Sequence, residues 1–231
     1  VTEDRAPDFS LFSLDTLAAG PGRKTLQIYQ PRMGHRFGHE AVALAGFVRV
    51  TENETVVDLG TGVGVIPLLL AHTGARLIGL EIQEDLAALA RRNAELNGVA
   101  LEVVRGDWRE IKDLLPPASA EVVTCNPPFY ETGRGRVSPE PSRAASRQAG
   151  RAALGEAVMA ARYLLTDKGR FNLVGPAWRL VDFLVTMRQA GLEPKRLQFI
   201  HSRPDAPAGL VLIEARKGSG VECLIEPPLF S

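Results

Sequence analysis

Gly60–Gly64 reads GTGVG and lies between the apolar run TVVDL (Thr55–Leu59) and VIPLLLAHTG, where a helix is expected to begin. Glycines there let the backbone turn through left-handed conformations and let a ligand approach the start of a helix closely. A strand, a glycine turn and a helix in succession form the opening unit of a parallel sheet. The alternation continues downstream. ARLIGLEI reads as a second strand, and EDLAALARRNAELNG as a helix with Leu86, Leu89, Ala90 and Ala94 on one face. ALEVVRGD and AEVVTCN read as a third and a fourth strand. Gly74 and Gly98 stand where left-handed caps would end the two helices. A loop over 131–148, a helix over about 150–165, the strand RFNLVG, a helix from Trp178 to about Ala190, and strands near LQFIHS and GLVLIEARK complete the pattern. The expectation is an α/β fold with a seven-stranded, mostly parallel sheet and helices on both faces. Ligands on such sheets bind outside the carboxyl ends of the strands, where the strand order reverses. Residues 1–45 do not fit the alternation. They are expected to form an N-terminal extension ahead of a main domain over 46–231, with TLQIYQPRMG as a small hairpin and HEAVALAGFV as a lead-in helix.

The glycine turn carries information about its ligand. A dinucleotide fingerprint would need a third glycine where Val65 stands. Asp58, just ahead of the turn, would repel a pyrophosphate and welcome a cation. S-adenosylmethionine carries a sulfonium and an ammonium and no phosphate, so charge favours it, with Gly60, Thr61, Gly62 and Gly64 forming its cradle. Glu81 ends the second strand, where an acid can accept both ribose hydroxyls of an adenosine. Asp107 ends the third and can receive the adenine amine, with Ile82 or Trp108 against the ring. Each acid alone also reads as a solvated strand end or a helix cap. Three of them in order at successive strand ends are hard to explain that way.

CNPPFY (Cys125–Tyr130) follows the fourth strand. Two prolines hold their own φ angles and push the residues before them extended. Such a rigid turn can aim two acceptors, the Asn126 side-chain oxygen and the Pro127 carbonyl, at one amino group beside the cofactor. A planar amine is a weak nucleophile because its lone pair is delocalised. Gripping both of its hydrogens helps the nitrogen pyramidalise as the methyl arrives, a gain largest in the transition state. Phe129 offers a face on which a flipped base can stack. Cys125 reads as a small buried hydrophobe.

DLGTGVG followed by NPPF resembles the Rossmann-like class I methyltransferases that act on amines, the adenine-N6, guanine-N2 and protein glutamine-N5 enzymes. QPRMGHRFGHEAVALA (Gln30–Ala45), VVDLGTGVGVIPLLLA, GLEIQEDLAALARRNAELNG, VVTCNPPF, PAGLVLIEARKGSG and EPPLF together resemble the bacterial tRNA adenine-N6 methyltransferases that modify the adenine 3′ of the anticodon of a valine tRNA. The resemblance spans nearly the whole chain. That family usually has tyrosine where His35 stands, often aspartate at Glu40, often tyrosine at Phe129, and often Ala-Arg-His-Glu where Ala145–Gln148 reads ASRQ. The resemblance implies a tRNA substrate, S-adenosylmethionine as cofactor, no metal and no obligate protein partner. It sets Phe37 over the cofactor's methionine end and Arg36 against its carboxylate. It makes Asn126, Pro127 and Phe129 the catalytic turn, with Asn126 also beside the cofactor. Tyr130, Arg134, Arg136, Arg143 and Arg147, in or after that turn, would meet the RNA.

Composition adds limits. Basic and acidic residues number 27 each, and arginine supplies all but Lys24, Lys112, Lys168, Lys195 and Lys217 of the basic ones. Arginine suits phosphates and stacked bases, although a GC-rich genome would give the same excess. Arg196, Arg203, Arg216 and Lys217 are expected to extend a basic surface. Two cysteines form no disulfide framework and no zinc spacing, and no apolar run is long enough to cross a bilayer. A reducing, cytoplasmic setting is expected. A protein glutamine-N5 or rRNA guanine-N2 methyltransferase, and a cofactor-binding module without catalysis, stand as alternatives.

Overall fold

A computed structural model of the chain describes residues 12–18, 24–32, 36–127 and 143–231, and for 143–151 the backbone alone. In chain order the elements are β1 (Phe12–Leu17), β2 (Leu26–Pro31), α1 (His39–Phe47), β3 (Thr55–Leu59), α2 (Val65–Leu70), β4 (Arg76–Glu81), α3 (Glu84–Asn97), β5 (Leu101–Arg105), α4 (Ile111–Leu114) and β6 (Ala120–Cys125). After them come α5 (Arg143–Leu164), β7 (Leu165–Pro176), α6 (Leu180–Gln189), β8 (Leu192–His201), β9 (Ala208–Lys217), β10 (Leu224–Ile225) and β11 (Leu229–Phe230).

The main sheet runs β10-β8-β9-β7-β6-β3-β4-β5, with β11 also on β8. Strand β9 is antiparallel to both of its neighbours, and the other pairings are parallel. Seven long strands, β3 to β9, match the expected sheet. The two-residue strands β10 and β11 extend it beyond expectation, because segments so short carry no periodicity. The order reverses at β3, which pairs with β4 on one side and β6 on the other. Leu59 is in register with Cys125, so Gly60 and Asn126 leave adjacent strands side by side.

One face of the sheet packs on α5 and α6 through Val57, Val123, Phe171, Leu173, Ile213, Leu154, Ala161 and Phe183. The other packs on α1, α2 and α3 through Val56, Val122, Val174, Leu212, Leu44, Phe47, Ile66 and Leu89. The face of α3 picked out by spacing is buried at Leu86, Leu89, Ala90 and Ala94, and Gly98 caps the helix at φ +65°. Gly74 likewise closes the short helical turn after α2 at φ +77°.

Two boundaries differ from expectation. TLQIYQPRMG supplies only β2, and its antiparallel partner is the upstream FSLDTL of β1. The connection between them is too long for the two- to five-residue hairpin loops that sequence signals mark. Helix α5 starts at Arg143, inside the segment expected to be loop up to residue 148. Its alanines and arginines are good helix formers, and they outweigh the serine and glycines that suggested a loop.

β2 is held to α3 by two asparagines on one helix face. Asn93 takes the Tyr29 amide on Oδ1 at 2.7 Å and gives its Nδ2 hydrogens to the Tyr29 and Val63 carbonyls at 2.9 Å. Asn97 accepts from the Gln27 amide at 2.9 Å and donates to the Gln27 carbonyl at 2.8 Å. Four helical residues rise about 6 Å and two strand residues about 6.8 Å, so the side-chain amides can mimic a strand edge.

Candidate functional site

β3 ends in Asp58–Leu59, and the chain then turns through Gly60, Gly62 and Gly64 at φ +71°, +57° and +86°. A residue with a Cβ is strained at such angles. At Gly60 an added Cβ would also meet the Trp108 ring at 3.2 Å. Helix α2 after the turn is six residues long, too short for its N-terminus to serve as an anion site. The turn is tied to β4 instead. Gly60 and Thr61 donate their amides to the Leu80 carbonyl at 2.9 Å, and Gly62 donates to Glu81 Oε2 at 2.8 Å.

Two cavities meet at Gly60. The larger, about 310 Å³, is lined by Arg36, Phe37, Glu40, Gly60–Val63, Asn126, Pro127 and the β7 end at Val174–Pro176. The smaller, about 200 Å³, is lined by Gly60, Leu80, Ile82, Gly106, Asp107, Trp108, Arg109 and Glu156. The glycine turn and the Asn126–Pro127 segment thus open into one space, at the carboxyl ends of the strands and at the reversal of strand order.

Asp58 is buried and accepts the Thr124 hydroxyl at 2.6 Å. The buried Thr61 hydroxyl acts on the same carboxyl but makes no hydrogen bond of good geometry with it, and Asp58 Oδ2 has no other partner among the described residues. Burial pushes the Asp58 carboxyl up to about 7; the Thr124 and Thr61 hydroxyls oppose the shift and the neighbouring Glu81 charge adds to it. Glu81 is buried at the end of β4 and takes one backbone amide on each oxygen, Gly62 on Oε2 and Gln83 on Oε1 at 2.9 Å. Each oxygen keeps acceptor capacity, enough for a pair of hydroxyls. Asp107 caps the helical turn Trp108–Glu110 by accepting the Arg109 amide at 2.9 Å, and the Arg109 guanidinium closes on its other oxygen. That guanidinium holds the carboxyl below the usual range. Glu156 reaches the same cavity from α5 and was not singled out by the sequence, because its strand-distant position carries no motif.

Ile82 is an exposed apolar side chain on one wall of the smaller cavity, and Trp108 lies on another. Phe37 lines the larger one, where its amide donates to Gln30 at 3.2 Å. Arg36 lines it too, but its guanidinium is engaged by Asp15 at 2.7 Å and the Ser13 hydroxyl at 3.2 Å. Cys125 is fully buried and its thiol is pushed well above the ordinary range by that burial. Phe129, Tyr130, Arg134 and Arg136 lie outside the described residues, and Arg143 and Arg147 lie on the first turns of α5, where only the backbone is described.

Asp58 also begins a row that single-strand reading missed. In register across the sheet stand Asp58 on β3, Thr124 on β6, Asn172 on β7, Glu214 on β9 and Arg196 on β8. All five are buried. A buried polar residue at the same level of five neighbouring strands was the available signal. Arg196 pairs with Glu214 at 2.6 Å and Glu226 at 2.8 Å and lies 4.2 Å over the Phe47 ring, so it is interior rather than part of a basic surface. Arg203 and Arg216 are paired with Asp205 and Glu214, and Lys217 donates to the Arg162 and Leu165 carbonyls.

The donor set fits a cationic ligand without phosphate. Asp58 and Glu81 are buried against the glycine turn without lining either cavity, Glu40 lines the larger cavity, Asp107 and Glu156 line the smaller, and the one guanidinium lining the larger cavity among the described residues is already paired. The comparisons agree with the geometry. The family model of the methyltransferase small domain matches residues 40–177, more than half of the chain. A curated protein of Phocaeicola vulgatus named tRNA1(Val) (adenine(37)-N6)-methyltransferase is 26% identical over 212 residues, covering 88% of this chain and 86% of that protein. Among solved structures, an Agrobacterium tumefaciens protein described as a predicted O-methyltransferase superposes with a TM-score of 0.66 at 21% identity, over 82% of this chain and 86% of that one. The Thermus thermophilus 16S rRNA N2 methyltransferase, solved with AdoMet and guanosine, gives 0.65 at 18% identity, over 90% of this chain and 51% of that one. At these identities the two structures bear on the fold, which is that of class I methyltransferases.

Proposed function

The chain belongs to the methyltransferase small domain family, and from that premise we propose that it methylates the exocyclic N6 amine of an adenine in tRNA, the adenine 3′ of the anticodon of a valine tRNA. S-adenosylmethionine is the methyl donor. The observation that carries the reading is the shared cavity, in which Asn126 and Pro127 face the same space as Gly60–Gly62. An amine acceptor held by the first turn would lie beside a donor held by the second.

The donor supplies, when bound, a methyl group on a positively charged sulfur. The chain's residues do the rest. Gly60, Thr61, Gly62 and Gly64 form a backbone cradle, strained by a Cβ at each of its three glycines. Asp58 and Glu81 set negative charge and free acceptor capacity around it, and Ile82 and Trp108 give apolar walls for an adenine ring. Asp107 is proposed to act from that cavity while it remains paired with Arg109, and Arg36 to meet a carboxylate from its seat on Asp15. Phe37 closes the opposite end. The Asn126 side-chain oxygen and the Pro127 carbonyl accept the two amine hydrogens and favour a pyramidal nitrogen. The methylated nitrogen sheds its extra proton readily, so no strong base is required. Phe129 and Tyr130 are proposed to stack on the base, and Arg134, Arg136, Arg143 and Arg147 to hold RNA phosphates.

The names of the curated relatives favour adenine in tRNA over glutamine or guanine. The test is methyl transfer from labelled donor to unmodified tRNA, followed by nucleoside mass analysis. N6-methyladenosine is expected, and N2-methylguanosine alone would overturn the choice of base. Asn126→Ala is expected to lower kcat by about 100- to 1,000-fold while donor affinity stays within a few-fold. Equal rates for the two proteins would defeat the catalytic assignment.

A further inference from the structure

Beyond the pocket stands an exposed aromatic that the methyl-transfer machinery does not use. β7 is the parallel neighbour of β6, with Leu173 in register with Cys125, so Val174–Pro176 run beside Asn126 and Pro127 and line the same cavity. The chain then makes the helical turn Ala177–Arg179, and Trp178 on it is 70% exposed. Val181, one turn further on, is 71% exposed and continues the apolar surface. The next residue is the reverse case. Arg179 is buried, lies 3.5 Å from Asp182 and stacks over Phe183 at 5.5 Å. Its guanidinium also stands 6.0 Å from the centroid of the Trp178 ring. The indole therefore rests on a turn anchored from beneath, with most of its surface bare to solvent.

A large exposed indole offers a flat apolar face, and its neighbour Val181 is equally bare. The place of the indole selects what covers it. It stands two residues after the cavity-lining Pro176 without lining the cavity itself, so it meets what flanks the reacting group rather than the group. In the proposed reaction those flanks are nucleotides of a single-stranded loop, and unstacked bases are recognised by stacking on aromatic faces. We propose that Trp178 is a stacking platform for a base adjacent to the target adenine, a positioning residue that holds the RNA loop open at the cavity mouth. The proposal rests on the RNA reading of the preceding section.

The test compares wild type, Trp178→Ala and Trp178→Phe on a minimal anticodon stem-loop. Stacking on one base predicts a rise in KM for RNA of roughly 5- to 150-fold for Trp178→Ala, with kcat at saturation and donor affinity nearly unchanged. Trp178→Phe should recover most of the loss. An abasic site at the flanking nucleotide should weaken wild type and leave Trp178→Ala unaffected. The chain has two tryptophans, so adding stem-loop RNA should quench a fluorescence component in wild type that Trp178→Phe lacks. RNA methylation by wild type with an unchanged KM in Trp178→Ala overturns the platform and leaves the proposed reaction standing. Failure of wild type to methylate or bind any RNA overturns both.

Discussion

Burial of Asp58 under the glycine turn raises its carboxyl from an ordinary 3.8 to about 7. Between those values the folded protein binds a proton that the unfolded chain does not, so stability falls as pH rises through this window. The loss amounts to about 4 kcal/mol at most. Asp58→Asn should flatten that slope, which denaturant titrations at pH 5 and pH 8 would read; a slope as steep as wild type's would assign it to other groups. A cationic donor favours the ionised carboxylate, so its affinity should rise with pH across the same window. Calorimetry in two buffers of different ionisation enthalpy should detect proton release on binding. The acid's place at a strand end was legible from its sequence position. Its hydrogen bond to Thr124 was not, because the partner is 66 residues away.

At the scale of elements, the strand-helix succession after residue 55 was readable because each segment carries its own period and its own stop signal. Gly74 and Gly98 are examples. The asparagine ladder from α3 to β2 was not readable, since Asn93 and Asn97 look like ordinary polar helix residues until the strand is beside them. Asn93→Leu removes three hydrogen bonds and leaves the Tyr29 and Val63 groups without that partner. A loss of about 3 kcal/mol is expected, with faster hydrogen exchange at the Tyr29 amide. Unchanged exchange there would show that β2 is held by other contacts. The same logic explains α5: local composition around Arg143–Gly150 pointed both ways, and the helix continued because its alanine-rich sequence could propagate from a packed C-terminal half.

Across the whole molecule, the buried row from Asp58 to Arg196 joins the proposed donor site to the far strands. Glu214, the fourth of the five, is fully buried and is shared between Arg196 and Arg216. Arg196→Met should cost about 3–5 kcal/mol because Glu214 and Glu226 both lose their buried partner and Glu214 keeps only the more exposed Arg216, and Arg196→Met with Glu214→Leu should recover part of it. Urea melts of the three proteins would check this; equal losses in the single and double variants would show that the pair is not the cause. No described helix is long and apolar enough to cross a membrane. By itself, the sequence determined the α/β class and the glycine turn, since these follow from backbone limits and short-range periodicity. Only the tertiary structure decided which strands are neighbours. That neighbourhood set Gly60 beside Asn126, buried Asp58 against Thr124, drew Arg196 inside and ran Val174–Pro176 along the cavity, because sheet register and burial depend on residues far apart in the chain.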